Sequence, residues 1–97
     1  MKEKYFYKII ENVRLDVRWK VSKGKVTFFC INLSKIDNTG NLIDIYRVDT
    51  SHDYPHEQKF WRSPKPIKLE GNYNKLFNEK KKEVIKNWRK YLRWFEK

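Results

Sequence analysis

Between Val13 and Val21 apolar and charged residues alternate without a break: Val13, Leu15, Val17, Trp19 and Val21 against Arg14, Asp16, Arg18 and Lys20. A period of two puts every apolar side chain on one face of an extended chain and every charge on the other. No helix can sort these residues in that way. The segment is therefore a strand, and a strand needs neighbours. Ser22-Lys23-Gly24-Lys25 follows directly and has the composition of a tight hairpin turn, with Gly24 free to take positive φ. The next run, Val26-Thr27-Phe28-Phe29-Cys30-Ile31, is apolar at nearly every position, which predicts a central strand covered on both faces.

The turn formers Asp37-Asn38-Thr39-Gly40-Asn41 separate that run from a third strand over Leu42–Asp49. Ser51–Pro55 reads as a loop and His56–Arg62 as a fourth strand. Ser63-Pro64-Lys65-Pro66 cannot continue any element, because proline removes a donor and restricts the residue before it. A surface connection is expected through about Tyr73. After it, Phe77, Val84, Ile85, Trp88, Tyr91, Leu92 and Phe95 share one helical face, with Asn74 as the expected N-cap. Residues 1–11 fit two readings. Tyr5, Phe6, Ile9 and Ile10 have helical spacing, yet aromatics and isoleucine suit a strand equally. The expected fold is α+β in a single domain, 1–97: an antiparallel meander of three to four strands, a C-terminal amphipathic helix on one face, and either a strand or a short helix at the N-terminus.

Charge narrows function. The chain carries 23 Lys+Arg against 12 Asp+Glu, a net +11 over 97 residues. Such a surplus repels itself and is characteristic of chains that meet a polyanion. It is also uneven: residues 1–53 hold ten basic and seven acidic residues, and residues 54–97 hold thirteen and five. Lys82, Lys86, Arg89, Arg93 and Lys97 line the helix face opposite the apolar stripe. Lys90 and Trp94 lie close by, and Arg62 follows Phe60-Trp61. Cations interleaved with large rings can hold phosphates and stack on bases, so Lys82, Lys86, Arg89, Lys90, Arg93, Trp94 and Arg62 are the expected nucleic-acid contacts. The same ridge also suits a solvated helix surface.

Chemistry, if any, belongs to Tyr46–His56. Both histidines, His52 and His56, lie here, near Asp49 and Arg47. Two imidazoles in a hairpin can serve as the acid and base that cleave RNA through its own 2′-hydroxyl, a route that needs no metal. Asp49 would orient one ring and Arg47 would stabilise the charged phosphate, with Tyr46 and Tyr54 at the edge. His52, His56 and Asp49 or Asp53 are also acceptable ligands for zinc or manganese, and the histidines equally suit a structural hairpin. No metal and no cofactor is expected. Glycine-rich phosphate loops, CxxC, HExxH and GxSxG are absent, which disfavours nucleotide hydrolysis and cysteine or serine catalysis. The single cysteine, Cys30, sits in an apolar run and reads as a buried thiol. No stretch is long and apolar enough to span a membrane, and the first residues lack a signal-peptide pattern, so the cytoplasm is the expected location.

Arg47-Val48-Asp49, His52 and Pro55-His56 together resemble the R-x-D-x-x-H-x-x-P-H core of TumE-like toxins of bacterial and archaeal toxin–antitoxin pairs. Tyr46–Ile67 is also similar to uncharacterised archaeal domains. Gln58 stands where TumE-like proteins often carry a further histidine. The resemblance implies a compact toxin working with a separately encoded antitoxin. The resulting expectation is a nucleic-acid-binding protein, RNA before DNA, acting as a metal-independent endoribonuclease. The rival is a basic binding module without chemistry, such as an accessory or viral protein on a nucleic acid or nucleoprotein complex.

Overall fold

The computed structural model describes residues 2–97. Six strands form one antiparallel sheet in chain order: β1 Lys2–Ile10, β2 Val13–Ser22, β3 Lys25–Ile36, β4 Leu42–Asp49, β5 His56–Lys59 and β6 Ile67–Lys68. One helix, α1 Tyr73–Phe95, follows and packs across β3 and β4. Each connection is local, so the meander expected from the alternation and turn signals is the architecture, with more strands than three or four.

The structure decides between the two readings of the N-terminus and corrects two expectations in the connection. Residues 2–10 are a strand, paired with β2 along its whole length from Lys2↔Val21 to Ile10↔Val13. The helical spacing there loses because Glu11-Asn12 folds the chain straight back, with Glu11 at φ 55, onto a long strand with unpaired backbone groups. The fourth strand ends at Lys59 rather than Arg62. The N–H groups of Arg62 and Ser63 both donate to the Lys59 carbonyl, which turns the chain early. Past the prolines, Ile67 and Lys68 pair with Glu57 and His56, adding a short strand within the expected loop.

The two faces of the sheet follow from register. On one, Val13, Leu15, Val17, Phe29, Ile31, Leu33, Tyr46 and Val48 form the core under α1. Phe77 lies 5.2 Å from Trp19 and 5.5 Å from Phe29, ring to ring. Tyr91 stacks at 5.2 Å on Tyr46 and 4.9 Å on Trp61. The irregular register at Leu33/Ser34, where the pairing passes from Tyr46 to Asp44, lets Ile45 and Tyr46, consecutive residues, both be buried. Among the described residues nothing packs over the other face. The expectation that β3 is covered on both sides is therefore corrected. Phe28 and Cys30 face outward, half-shielded by their own neighbours, with Arg18 and Lys20 over the Phe28 ring at 5.4 and 5.5 Å.

The Lys23-Gly24 turn has both residues at positive φ, 51 and 75, as a two-residue hairpin requires. The helix is capped by Asn72, whose Oδ1 accepts from the Lys75 N–H at 3.2 Å, two residues earlier than Asn74. Asn74 instead ties helix to sheet: its Oδ1 accepts from the Val26 N–H at 2.8 Å. Leu76, Phe77, Val84 and Tyr91 are buried, whereas Ile85, from the expected apolar stripe, is 53% exposed.

Candidate functional site

Strand pairing aligns Cys30, Asp49, His56 and Lys68 side by side across the open face. Asp49 is the organising group. Its carboxylate, 1% exposed, accepts from Arg47 Nε at 2.7 Å and lies 2.8 Å from His56 Nε2. Ser51 adds its Oγ at 3.0 Å and its N–H at 3.3 Å. Burial alone would raise this carboxyl, but the bonds from Arg47 and Ser51 and the nearby imidazole outweigh it and hold it below the usual carboxylate range. Arg47 is correspondingly held charged by Asp49 against the opposing effect of burial.

His56 is buried, with Nδ1 3.4 Å from the Tyr54 carbonyl oxygen. Both ring nitrogens therefore face oxygens of the protein itself. His52 is exposed, its ring 5.3 Å from that of His56. Tyr54 lies 5.6 Å from His56 and completes the edge. So Arg47, Asp49, His52 and His56 are brought together as expected, but only His52 presents an open imidazole. Tyr46 does not join them. The pleat turns it to the opposite face, where it is fully buried and donates to Glu57 Oε2 at 2.5 Å. Burial and the Glu57 charge push its phenol far above the ordinary range, so Tyr46 is a core residue. Among the described residues no three His, Cys, Asp or Glu side chains converge as a metal centre. Burial raises the Cys30 thiol, which keeps it protonated and inert.

The cations expected to hold phosphates lie on the other side of the sheet. Lys82, Lys86, Arg89, Lys90 and Arg93 are all exposed along α1, and Arg62 is exposed in the turn after β5. Arg89 pairs with Glu11 at 3.1 Å and covers the Trp88 ring at 4.3 Å. The other five make no ion pair among the described residues. Trp94, 43% exposed, leans on Trp61 at 5.7 Å, so its inner face is covered and its outer face is open. A surface hollow of about 240 Å³ is lined by Lys59, Arg62, Ser63, Lys65 and Ile67.

Composition and spacing did not reveal the Glu57–Lys80 pair. Glu57, 4% exposed, accepts from Lys80 Nζ at 2.9 Å as well as from Tyr46. These bonds overcome the effect of burial and hold its carboxyl pKa below the usual carboxylate range. The parity of the strand was the available signal: if His56 faces out, Glu57 must face α1. Ser51 was the other omission, and an Asp two residues before a Ser in a loop was its only trace.

The fold and the site define a small α+β module, one antiparallel meander backed by one helix, with a buried Asp–His pair on its bare face and a cationic helix on its covered face. All of the chain, residues 1–97, matches the family described as Domain of unknown function (DUF7718), and the chain belongs to that family. No curated protein and no solved structure matches it.

Proposed function

We propose that this protein binds single-stranded nucleic acid, RNA before DNA, along its helix-bearing side. The observation that carries the reading is the division of charge between the two faces. The open face holds Arg14, Arg18, Lys20, Arg47 and Lys68 against Glu3, Asp16, Asp44 and Asp49, which is close to balance. Nearly all of the net +11 is therefore displayed elsewhere, most densely on α1. Lys82, Lys86, Arg89, Lys90, Arg93 and Arg62 would hold successive phosphates, and Trp94 would stack on a base. Exposed rings beside cations favour single strands, whose bases are free to stack.

A second reading rests on the Asp49–His56–His52 cluster and on the resemblance of residues 46–67 to TumE-like toxins. In it the protein is an endoribonuclease restrained by an antitoxin. A base takes the proton of the 2′-hydroxyl, the 2′-oxygen attacks phosphorus, and the bond to the 5′-oxygen breaks as an acid protonates it, leaving a 2′,3′-cyclic phosphate. His52 is the ring able to reach substrate, Asp49 fixes His56 behind it, and Arg47 stabilises the phosphate charge.

Labelled single- and double-stranded RNA and DNA, incubated with wild type, with His52→Ala/His56→Ala and with Lys86→Ala/Arg89→Ala/Arg93→Ala, separate the readings when scored for both binding and cleavage. Binding lost only in the helix variant, without cleavage, is the expected result. Cleavage lost in the histidine variant while binding persists would establish the enzyme. Equal binding by the helix variant would remove α1 as the interface.

A further inference from the structure

The first strand leaves two things unmet. β1 is the sheet edge, hydrogen-bonded to β2 on one side only, so the other side offers a row of backbone donors and acceptors over nine residues. It is also bare on both faces. Tyr5, Tyr7 and Ile9 are 52%, 54% and 53% exposed, and Phe6 is 38% exposed. α1 packs on β3 and β4 and does not reach β1. The gap between them is an apolar cleft of about 240 Å³ lined by Phe6, Ile10, Leu15, Ile85 and Trp88, with Lys8 at its mouth. The exposed Ile85 is thereby explained: it forms the helix wall of this cleft.

We infer that β1 and this cleft together are a docking site for one strand of an acidic partner protein, added to the sheet beside β1. A strand supplies the matching alternation of backbone donors and acceptors, and alternate side chains of the same strand enter the cleft. Charge sets the chemistry. Lys2, Lys4 and Lys8 share the cleft side of β1 with Phe6 and Ile10, so the partner's cleft-side residues are acidic, apolar and acidic in turn. A second copy of this chain fits poorly. It would bring another three lysines and another net +11 to the same edge, and pairing centred on Phe6 would set Lys4 against Lys8 twice. A nucleic-acid strand would leave the β1 backbone unpaired and the cleft unfilled.

The test uses a fluorescein-labelled peptide, Thr-Val-Glu-Val-Ile-Val-Glu-Val-Thr, and its analogue with Lys in place of Glu. Each is titrated against the full chain and against Lys4→Glu/Lys8→Glu by anisotropy, with amide hydrogen exchange on the wild type. The acidic peptide is expected to bind wild type and slow exchange within residues 2–10. The double substitution should weaken it by about tenfold and favour the lysine analogue. Equal binding of both peptides by wild type would overturn the proposal. So would protection outside β1 and the cleft, or sedimentation of the wild type alone as a dimer with β1 protected. Should the variant fail to fold, the exchange pattern of the wild type decides.

Discussion

The sheet has one dry face and one wet face, and each solves a different problem with charge. Under α1 the ionic group is a single satisfied set, Glu57 with Tyr46 and Lys80, inside a continuous aromatic core. On the open face no core exists, so Arg47, Asp49, Ser51 and His56 bond one another instead. Charges near balance there neutralise locally. The cations of α1 find few partners in the chain and remain available. The fold separates the two sets of residues that RNA cleavage on one surface would need together. The imidazoles and the cationic ridge of α1 lie on opposite sides of the sheet.

The dry face should give the largest effects. Phe77→Ala removes a ring packed between Trp19 and Phe29 and should cost about 3–5 kcal/mol in urea denaturation. Lys80→Ala leaves a buried Glu57 carboxylate with Tyr46 and the more distant Lys59, 3.8 Å away, and should cost nearly as much, about 3 kcal/mol. If Lys80→Ala were neutral, the ionic set would be dispensable and the contrast between the faces would fail.

Acid should act on both faces through Asp49 and Glu57. Both carboxyls are held below their ordinary range in the folded state. Their contribution to stability is therefore complete above the unfolded values of about 4 and is lost as pH falls through the folded ones. Thermal unfolding followed from pH 6 downward should show a fall that becomes steep only below about pH 4, and Asp49→Asn/Glu57→Gln should flatten it. An unchanged acid limb would mean that neither carboxylate is held as described.

Charge removal on the two surfaces should differ in kind. Lys86→Ala/Arg89→Ala/Arg93→Ala should reduce the slope of log affinity against log salt by about two to three units, with stability moving by under about 0.5 kcal/mol per site. Arg14→Ala/Arg18→Ala/Lys20→Ala on the open face should leave that slope alone. The smallest effect belongs to Glu11→Gln, which breaks the exposed pair with Arg89 and should change stability by about 0.5 kcal/mol or less.

What could be read from the sequence follows from which signals are local. The alternation of β2, the positive-φ turn at Gly24 and the helix stripe around Phe77, Val84 and Tyr91 are decided within a few residues, and each stands in the structure. β1 and β6 depend on neighbours: one exists because β2 has an edge to fill, the other because Glu57 and His56 lie opposite Ile67 and Lys68. The gathering of Arg47, Asp49, His52 and His56 was legible because one hairpin holds all four. Their separation from α1 was not, since it depends on strand parity relative to the side on which the helix lands. Tyr46 shows the point most clearly, adjacent in sequence to Arg47 and facing the opposite way.

The division of the two faces can be observed directly, because the rings report on them separately. Trp19, Trp61, Trp88 and Trp94 all lie on the helix side, and His52 and His56 on the open side. A titration with single-stranded oligouridine, followed by the indole N–H and imidazole C–H resonances of the wild type, should move Trp94 first. Shifts at His52 and His56 with Trp94 unmoved would place the nucleic acid on the bare face and contradict the account.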